Sequence, residues 1–296
     1  MTDRIYDRNA LAALVPHRGV NLIPDQVVLH AGGTVATATV RIPAGDPRAI
    51  FTRASAIGTA WQEPFLVEFF AVTGVALLRE RLGDNEGVFS AVSRVRFRAP
   101  VPSDAALTGR AEITRDRGGF YVFACRAEIA GTVVGEAEIM AGSARLADVL
   151  TAPLRPFATL PAGAPVDARL FAGRPPRMRF LDTITAADPA TGAYAGATTY
   201  PVDHPFVPGH FPTAAVMMGM SQWTALIDLA WVGMRRQGLD RALCQGVLKR
   251  ADGGEVIAVR DLELVADGGL PRVASTSRVG SMTAHSLVFS SPTMYE

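Results

Sequence analysis

Between Pro64 and Leu78 the chain carries Phe65, Leu66, Val67, Phe69, Phe70, Val72, Val75, Leu77 and Leu78, with Glu68 as the only charge. A helix apolar on every side must be buried on every side. Residues 63–82 therefore read as a central helix that other elements enclose. A sheet wrapped around it meets that demand, although periodicity alone leaves other α+β layouts open. A second long apolar helix is expected at 214–236. Glu68 and Asp228 interrupt the two stretches, which argues against membrane spans.

The elements around these helices follow one order twice. The first half opens with Pro16-His17-Arg18 and Leu22-Ile23-Pro24-Asp25, then a β-like run at 34–42, the helix, and β-like runs at 87–98, 105–115, 119–130 and 132–145. Turns bearing Gly, Pro or Asp separate them. The second half opens with Pro176-Arg177 and Phe180-Leu181-Asp182, then a β-like run at 193–200, its helix, and runs at 243–249, 255–265, 271–279 and 283–290. Pro153, Pro156, Pro161, Pro165, Pro175 and Pro176 rule out a regular helix or interior strand between the halves. The division is thus an N-terminal domain at 1–147, a surface linker at 148–175 and a C-terminal domain at 176–296.

With 296 residues, 49% hydrophobic and 19% charged, the chain has enough apolar surface for substantial cores. Net charge is +1 and no block of like charge stands out, so no nucleic-acid footprint is expected. A local arginine patch remains able to meet an acidic carrier protein. Cys125 and Cys244 lie far apart, which excludes a disulfide framework or a cysteine metal site. Met1-Thr2-Asp3-Arg4 has no apolar run behind it, unlike a secretory signal, so a cytoplasmic location is expected.

The most informative string is Pro205-Phe206-Val207-Pro208-Gly209-His210-Phe211-Pro212, followed by Val216-Met217-Met218-Gly219. It resembles the Gly-His-Phe-Pro signature of the bacterial 3-hydroxyacyl-acyl-carrier-protein dehydratases, and Pro16-His17-Arg18 with Leu22 to Asp25 looks like the opening of the same family. The resemblance implies a tandem, or double, hot-dog of the α+β class, each unit a long central helix wrapped by an antiparallel sheet. It also implies an internal pseudo-dimer, with higher assembly left open.

In that family a histidine of one hot-dog meets a carboxylate fourteen residues further on in the partner's helix. Fourteen residues after His210 stands Thr224, and fourteen before Glu68 stands Ala54. Each half holds what the other lacks. His210 with Glu68 therefore makes one composite site as the catalytic pair, with Gly209, Phe211, Gly219, Trp61 and Phe65 as substrate-binding candidates. Independently of the resemblance, a carboxyl among large apolar side chains should have a raised pKa and suit a general acid.

The implied reaction is dehydration of a (3R)-3-hydroxyacyl thioester carried by acyl-carrier protein or coenzyme A, with no cofactor beyond the substrate's own phosphopantetheine. His17, His30, His204 and His285 read as structural, and Asp228 as an anchor within its own unit. No metal is expected, since the spacing of Asp203, His204 and His210 matches no strong metal signature. The family has glycine five residues before the helix carboxylate, where this chain has Glu63 followed by Pro64, which lacks an N–H. The oxyanion donor is then sought at Phe65 or near His210. Two other readings compete: a hot-dog thioesterase, and a non-catalytic acyl-binding or scaffold subunit.

Overall fold

The computed structural model describes residues 2–145, 162–201, 203–212, 217–250, 255–280 and 293–295. The first half contains β1 (Arg4–Asp7), α1 (Arg8–Leu14), β2 (Gln26–Leu29), β3 (Val35–Val40), the hairpin β4 (Thr52–Ser55) and β5 (Gly58–Trp61), α2 (Glu63–Leu82), β6 (Glu86–Phe97), β7 (Leu107–Arg117), β8 (Phe120–Ile129) and β9 (Thr132–Ala144). The second contains β10 (Ala164–Pro165), β11 (Thr183–Asp188), β12 (Ala193–Thr198), α3 (Gly219–Arg236), β13 (Arg241–Arg250), β14 (Glu255–Asp267), β15 (Leu270–Gly280) and β16 (Thr293–Tyr295). Val216 and the strand expected at 283–290 lie outside the described residues.

α2 forms where its apolar run begins because Pro64 fixes the first turn, where a missing N–H costs no helical bond. Phe65 to Phe70 are all buried, and β2, β3, β6, β7, β8 and β9 pack around the helix. The alternation along β7 and β8 turns Leu107, Ala111, Tyr121, Phe123 and Cys125 inward onto it. α3 lies inside the second half in the same manner, and the two helices touch each other. This is the double hot-dog architecture. No helix among the described residues is long and apolar enough to cross a membrane.

One fourteen-stranded sheet runs through both halves in the order β1-β2-β3-β7-β8-β9-β6-β15-β14-β13-β16-β12-β11-β10. The halves join where β6 pairs antiparallel with β15, from Ser275 opposite Arg96 to Gly280 opposite Ala91. The element order recurs, but the strand order does not. In the first half the strand that follows the helix, β6, forms the junction; in the second, β15 does, and β13 lies on the far side of β14.

The linker reading of 148–175 needs correction in its later part. Residues 146–161 lie outside the described set, but from Ala164 onward the segment is built into the second half. β10 pairs with β11, Phe171 is buried, and the Trp231 indole N–H donates to the Leu170 carbonyl at 2.9 Å. Leu170 and Phe171 carry apolar surface that packs against the core rather than facing water. The N-terminal β1–α1 unit and the β4–β5 hairpin were not anticipated either.

Candidate active site

Glu68 sits in the second turn of α2, and its carboxylate points toward the loop that precedes α3. His210 occupies that loop, and its Nε2 lies 3.9 Å from Glu68 Oε1. The two residues come from different halves, as the missing partners at Thr224 and Ala54 require. Their separation exceeds a direct hydrogen bond and leaves room for a reacting group between them.

A third side chain completes the group. His17 Nε2 lies 3.8 Å from Glu68 Oε1, and its ring stands edge-on to His210 and Phe211 at centroid distances of 5.3 and 5.0 Å. The structural reading of His17 is therefore corrected: only 3% exposed, it faces the same pocket. Its sequence position gives no hint of this, because some fifty residues separate it from Glu68 and chain folding alone brings them together. His204 is different. Its Nε2 lies 2.7 Å from the Arg177 carbonyl and its Nδ1 accepts the Phe206 N–H, so it pins the loop from behind. Asp203 is paired with Arg177 outside the pocket, so Asp203, His204 and His210 do not converge. His30 bonds Asp3 near the N-terminus, and His285 lies outside the described residues.

Burial sets the protonation states. Glu68 is 6% exposed, and desolvation pushes its pKa up to about 7. For His17, burial first, then the charges of His210 and Arg18, hold the imidazole well below its usual value. Near neutral pH the site thus presents a carboxyl poised to give up a proton beside a neutral imidazole.

The cavity extends from these groups along α2 with a volume of about 60 Å³. Its apolar wall includes Phe70, Gly74 and Val75 of α2, Val88 and Phe89 of β6, Phe123 of β8 and Ile139 of β9. Phe211 and Gly219 also line it. Gly219 begins α3, so the positive end of that helix faces the pocket. The search for an N–H donor at Phe65 is corrected accordingly: the Phe65 N–H is given to the Gln62 carbonyl at 3.0 Å. Five residues before Thr224, the glycine stands on the same half as His210.

Three further candidates are placed elsewhere. Phe65 packs between Phe51 and Phe206, and Trp61 packs on Phe69; both are fully buried core residues and neither lines the cavity. Gly209 does not line the cavity but fixes the loop. A Cβ there would overlap the Arg18 carbonyl oxygen, and the Gly209 carbonyl accepts the Arg18 N–H at 3.0 Å. Asn21 donates to the Phe206 carbonyl at 2.8 Å beside it, so two strands of loop are held in close contact. Gly209→Ala is expected to destabilise the chain by about 1–3 kcal/mol, since backbone must move to admit the methyl. The displaced His210 should also cost turnover well beyond the loss of folded protein, which denaturant titration and initial rates on the same samples separate.

The pseudo-equivalent second site is closed. Thr224 Oγ1 is spent on the Met220 carbonyl at 2.7 Å. The Ala54 N–H donates to the Gly173 carbonyl at 2.7 Å, and only glycine at 173 permits that approach, because a Cβ would sit 2.7 Å from that of Ala54. Buried charges fill the remaining space. Arg53 binds Glu63 at 3.0 Å and Asp267 at 2.7 Å, while Arg174 pairs with Asp228. About 10 Å³ is left. Glu63 is therefore the ion partner of Arg53 within its own half, and it accepts the Val273 N–H of the other half at 3.3 Å. Asp228 also accepts the Phe180 N–H at 2.8 Å, an anchor within its own half.

No family model matches the chain. Among curated proteins, the 3-hydroxyacyl-[acyl-carrier-protein] dehydratase FabZ of Colwellia psychrerythraea is 28% identical over 138 residues, 45% of this chain and 91% of the relative. The protein of the same name from Brucella ovis is 31% identical over 140 residues, 46% of this chain and 87% of the relative. A solved neighbour is a chain of the dehydratase heterocomplex ApeI:P from Xenorhabdus doucetiae, at 16% identity and a TM-score of 0.39, covering 45% of this chain and 90% of that one. A match spanning nearly a whole relative but under half of this chain accords with two hot-dog units in one polypeptide. By this sequence similarity, the chain belongs to the family of 3-hydroxyacyl-[acyl-carrier-protein] dehydratases typified by FabZ.

Proposed function

We propose that the chain dehydrates a 3-hydroxyacyl thioester to the trans-2-enoyl thioester at a single composite site. The observation that carries this reading is the convergence of His210 from one half with Glu68 from the other on one apolar cavity. The substrate hangs on a phosphopantetheine arm, the part that acyl-carrier protein and coenzyme A share.

His210 takes the proton from C2, next to the thioester carbonyl. Electrons move to form the C2=C3 bond, and the C3–O bond breaks. Glu68, protonated up to about pH 7, gives its proton to the departing hydroxyl, which leaves as water. Charge developing on the thioester oxygen is met by the N-terminal end of α3 at Gly219. His17 packs against both reacting side chains and keeps water from the carboxyl.

The raised Glu68 pKa also ranks the alternatives. A thioesterase needs an ionised carboxylate to attack or to activate water, whereas burial here favours the neutral acid. The test is to incubate the chain with crotonyl-coenzyme A in EDTA-containing buffer. Loss of enoyl absorbance with formation of 3-hydroxybutyryl thioester supports the proposal through the reverse reaction. Release of free thiol would instead indicate a thioesterase, and binding without turnover an acyl-binding subunit.

A further inference from the structure

We propose that His17, His210 and Glu68 form a binding site for one zinc ion, and that zinc bound there is an inhibitor of the enzyme. One ligand atom from each of the three residues lies within 4.8 Å of the others, and all three side chains are buried. Two imidazoles and a carboxylate are the ligand set that zinc accepts, with a fourth position left for water or an anion. That position opens into the acyl cavity.

The geometry is near what the ion needs. Tetrahedral zinc at its usual bond lengths holds its ligand atoms roughly 3.4 Å apart. His17 Nε2 and His210 Nε2 stand 3.8 and 3.9 Å from Glu68 Oε1, so those pairs close by about half an ångström. The two imidazoles approach each other further. Such closure is a side-chain adjustment, since the backbone around all three residues is already fixed by the Arg18–Gly209 contact and by α2.

A second observation sets the strength of the site. His17 Nδ1 is buried without a hydrogen-bond partner. Zinc bound through Nε2 would leave the imidazole proton on this unpartnered Nδ1. A zinc-ligating histidine normally gives its outer N–H to a carboxylate or carbonyl, which strengthens it. Here that support is missing, so the site should be weaker than a structural zinc site and exchange its metal readily. This suits a reversible inhibitor rather than a resident cofactor.

Binding stands on the geometry alone. The inhibition rests on the dehydratase reading, because zinc would occupy the His210 lone pair and the Glu68 carboxylate that the reaction uses. The experiment is calorimetric titration of the metal-free full chain with ZnCl2, with the visible spectrum of Co2+ as a second probe of the ligand geometry. One ion per chain is expected, with affinity lowered by roughly 100-fold or more in both His17→Gln and His210→Gln, and unchanged in His30→Gln. Thermal melts of each variant establish that it is folded, and a zinc-dependent rise in midpoint in wild type but in neither His17→Gln nor His210→Gln repeats the test without calorimetry.

Absent binding, or binding indifferent to both histidines, overturns the site. If metal-free enzyme hydrates crotonyl-coenzyme A and zinc has no effect on it, the inhibitory role falls while the dehydratase reading stands. If zinc binds at these residues but the metal-free chain is inert toward the thioester, the dehydratase reading fails and the binding site survives.

Discussion

Replacing Glu68 by Gln is expected to lower thioester hydration by roughly 10²- to 10⁴-fold while making the protein more stable above neutral pH. The two effects share one cause. Glu68 is buried, and desolvation raises its pKa in the folded chain to about 7 against an ordinary 4.5. Between these values the folded state binds more protons than the unfolded state, so stability declines as pH rises through that window. Above about pH 7 the ionised carboxylate costs the fold on the order of 3 kcal/mol. Glutamine does not titrate. The variant should therefore match wild type near pH 4 and exceed it at pH 8 by an amount approaching that figure. Denaturant titrations at the two pH values, in EDTA, measure the difference. Equal stability of variant and wild type at pH 8 would mean that Glu68 is not desolvated. In the wild type, activity should fall as pH rises past about 7, because the acid is lost.

Asp228→Ala should have the opposite character, a large loss of stability with the chemistry preserved in the molecules that fold. Asp228 is fully buried and neutralises Arg174, itself buried, while accepting the Phe180 N–H. Removing one partner of such a pair leaves an uncompensated charge and costs about 3–5 kcal/mol. Replacing both residues with apolar ones, as in Arg174→Met with Asp228→Leu, should recover much of the loss, because the desolvation of both charges is removed together. At a stability-restored condition, turnover per folded molecule should be near wild type. A collapse in turnover on the scale of Glu68→Gln would show that the closed second site contributes to catalysis after all.

The general layout was legible because it is dictated by local patterns. The all-round apolar run of α2 demands enclosure, and its bounds at 63–82 were readable from Pro64 and the arginines near its end. β6 to β9 followed from alternation between turn residues. What could not be read was anything set by long-range pairing. The junction of β6 with β15 depends on which edge each half leaves unpaired, which no local signal encodes. The packing of Leu170 and Phe171 was hidden behind the prolines that flank them.

The site divides along the same line. Glu68 stood out because an isolated charge among large apolar residues is expensive to bury, and His210 because of the glycine and prolines around it. Gly219 was visible as a candidate, and the donor was sought at Phe65 or near His210, since Glu63 occupies the glycine's place in α2. Arg53 and Asp267 show what Glu63 does, and they lie 214 residues apart. Trp61 and Phe65 stand at α2's start and read as substrate-binding candidates in the sequence. Which face of a uniformly apolar helix meets a cavity is decided by the neighbours, not by the helix. His17 was overlooked for the same reason: a histidine in a loop becomes part of a site only through what the fold brings to it.

The central claim is that one histidine and one carboxylate, from different halves, act as a single unit. It is tested most directly by single-turnover hydration rates of a crotonyl thioester in metal-free wild type, Glu68→Gln, His210→Ala and the double variant. Residues that act as a unit lose their effect together, so the double variant should be no slower than the slower single one. Losses that multiply, or a residual rate in the double variant close to wild type, would contradict a single composite site.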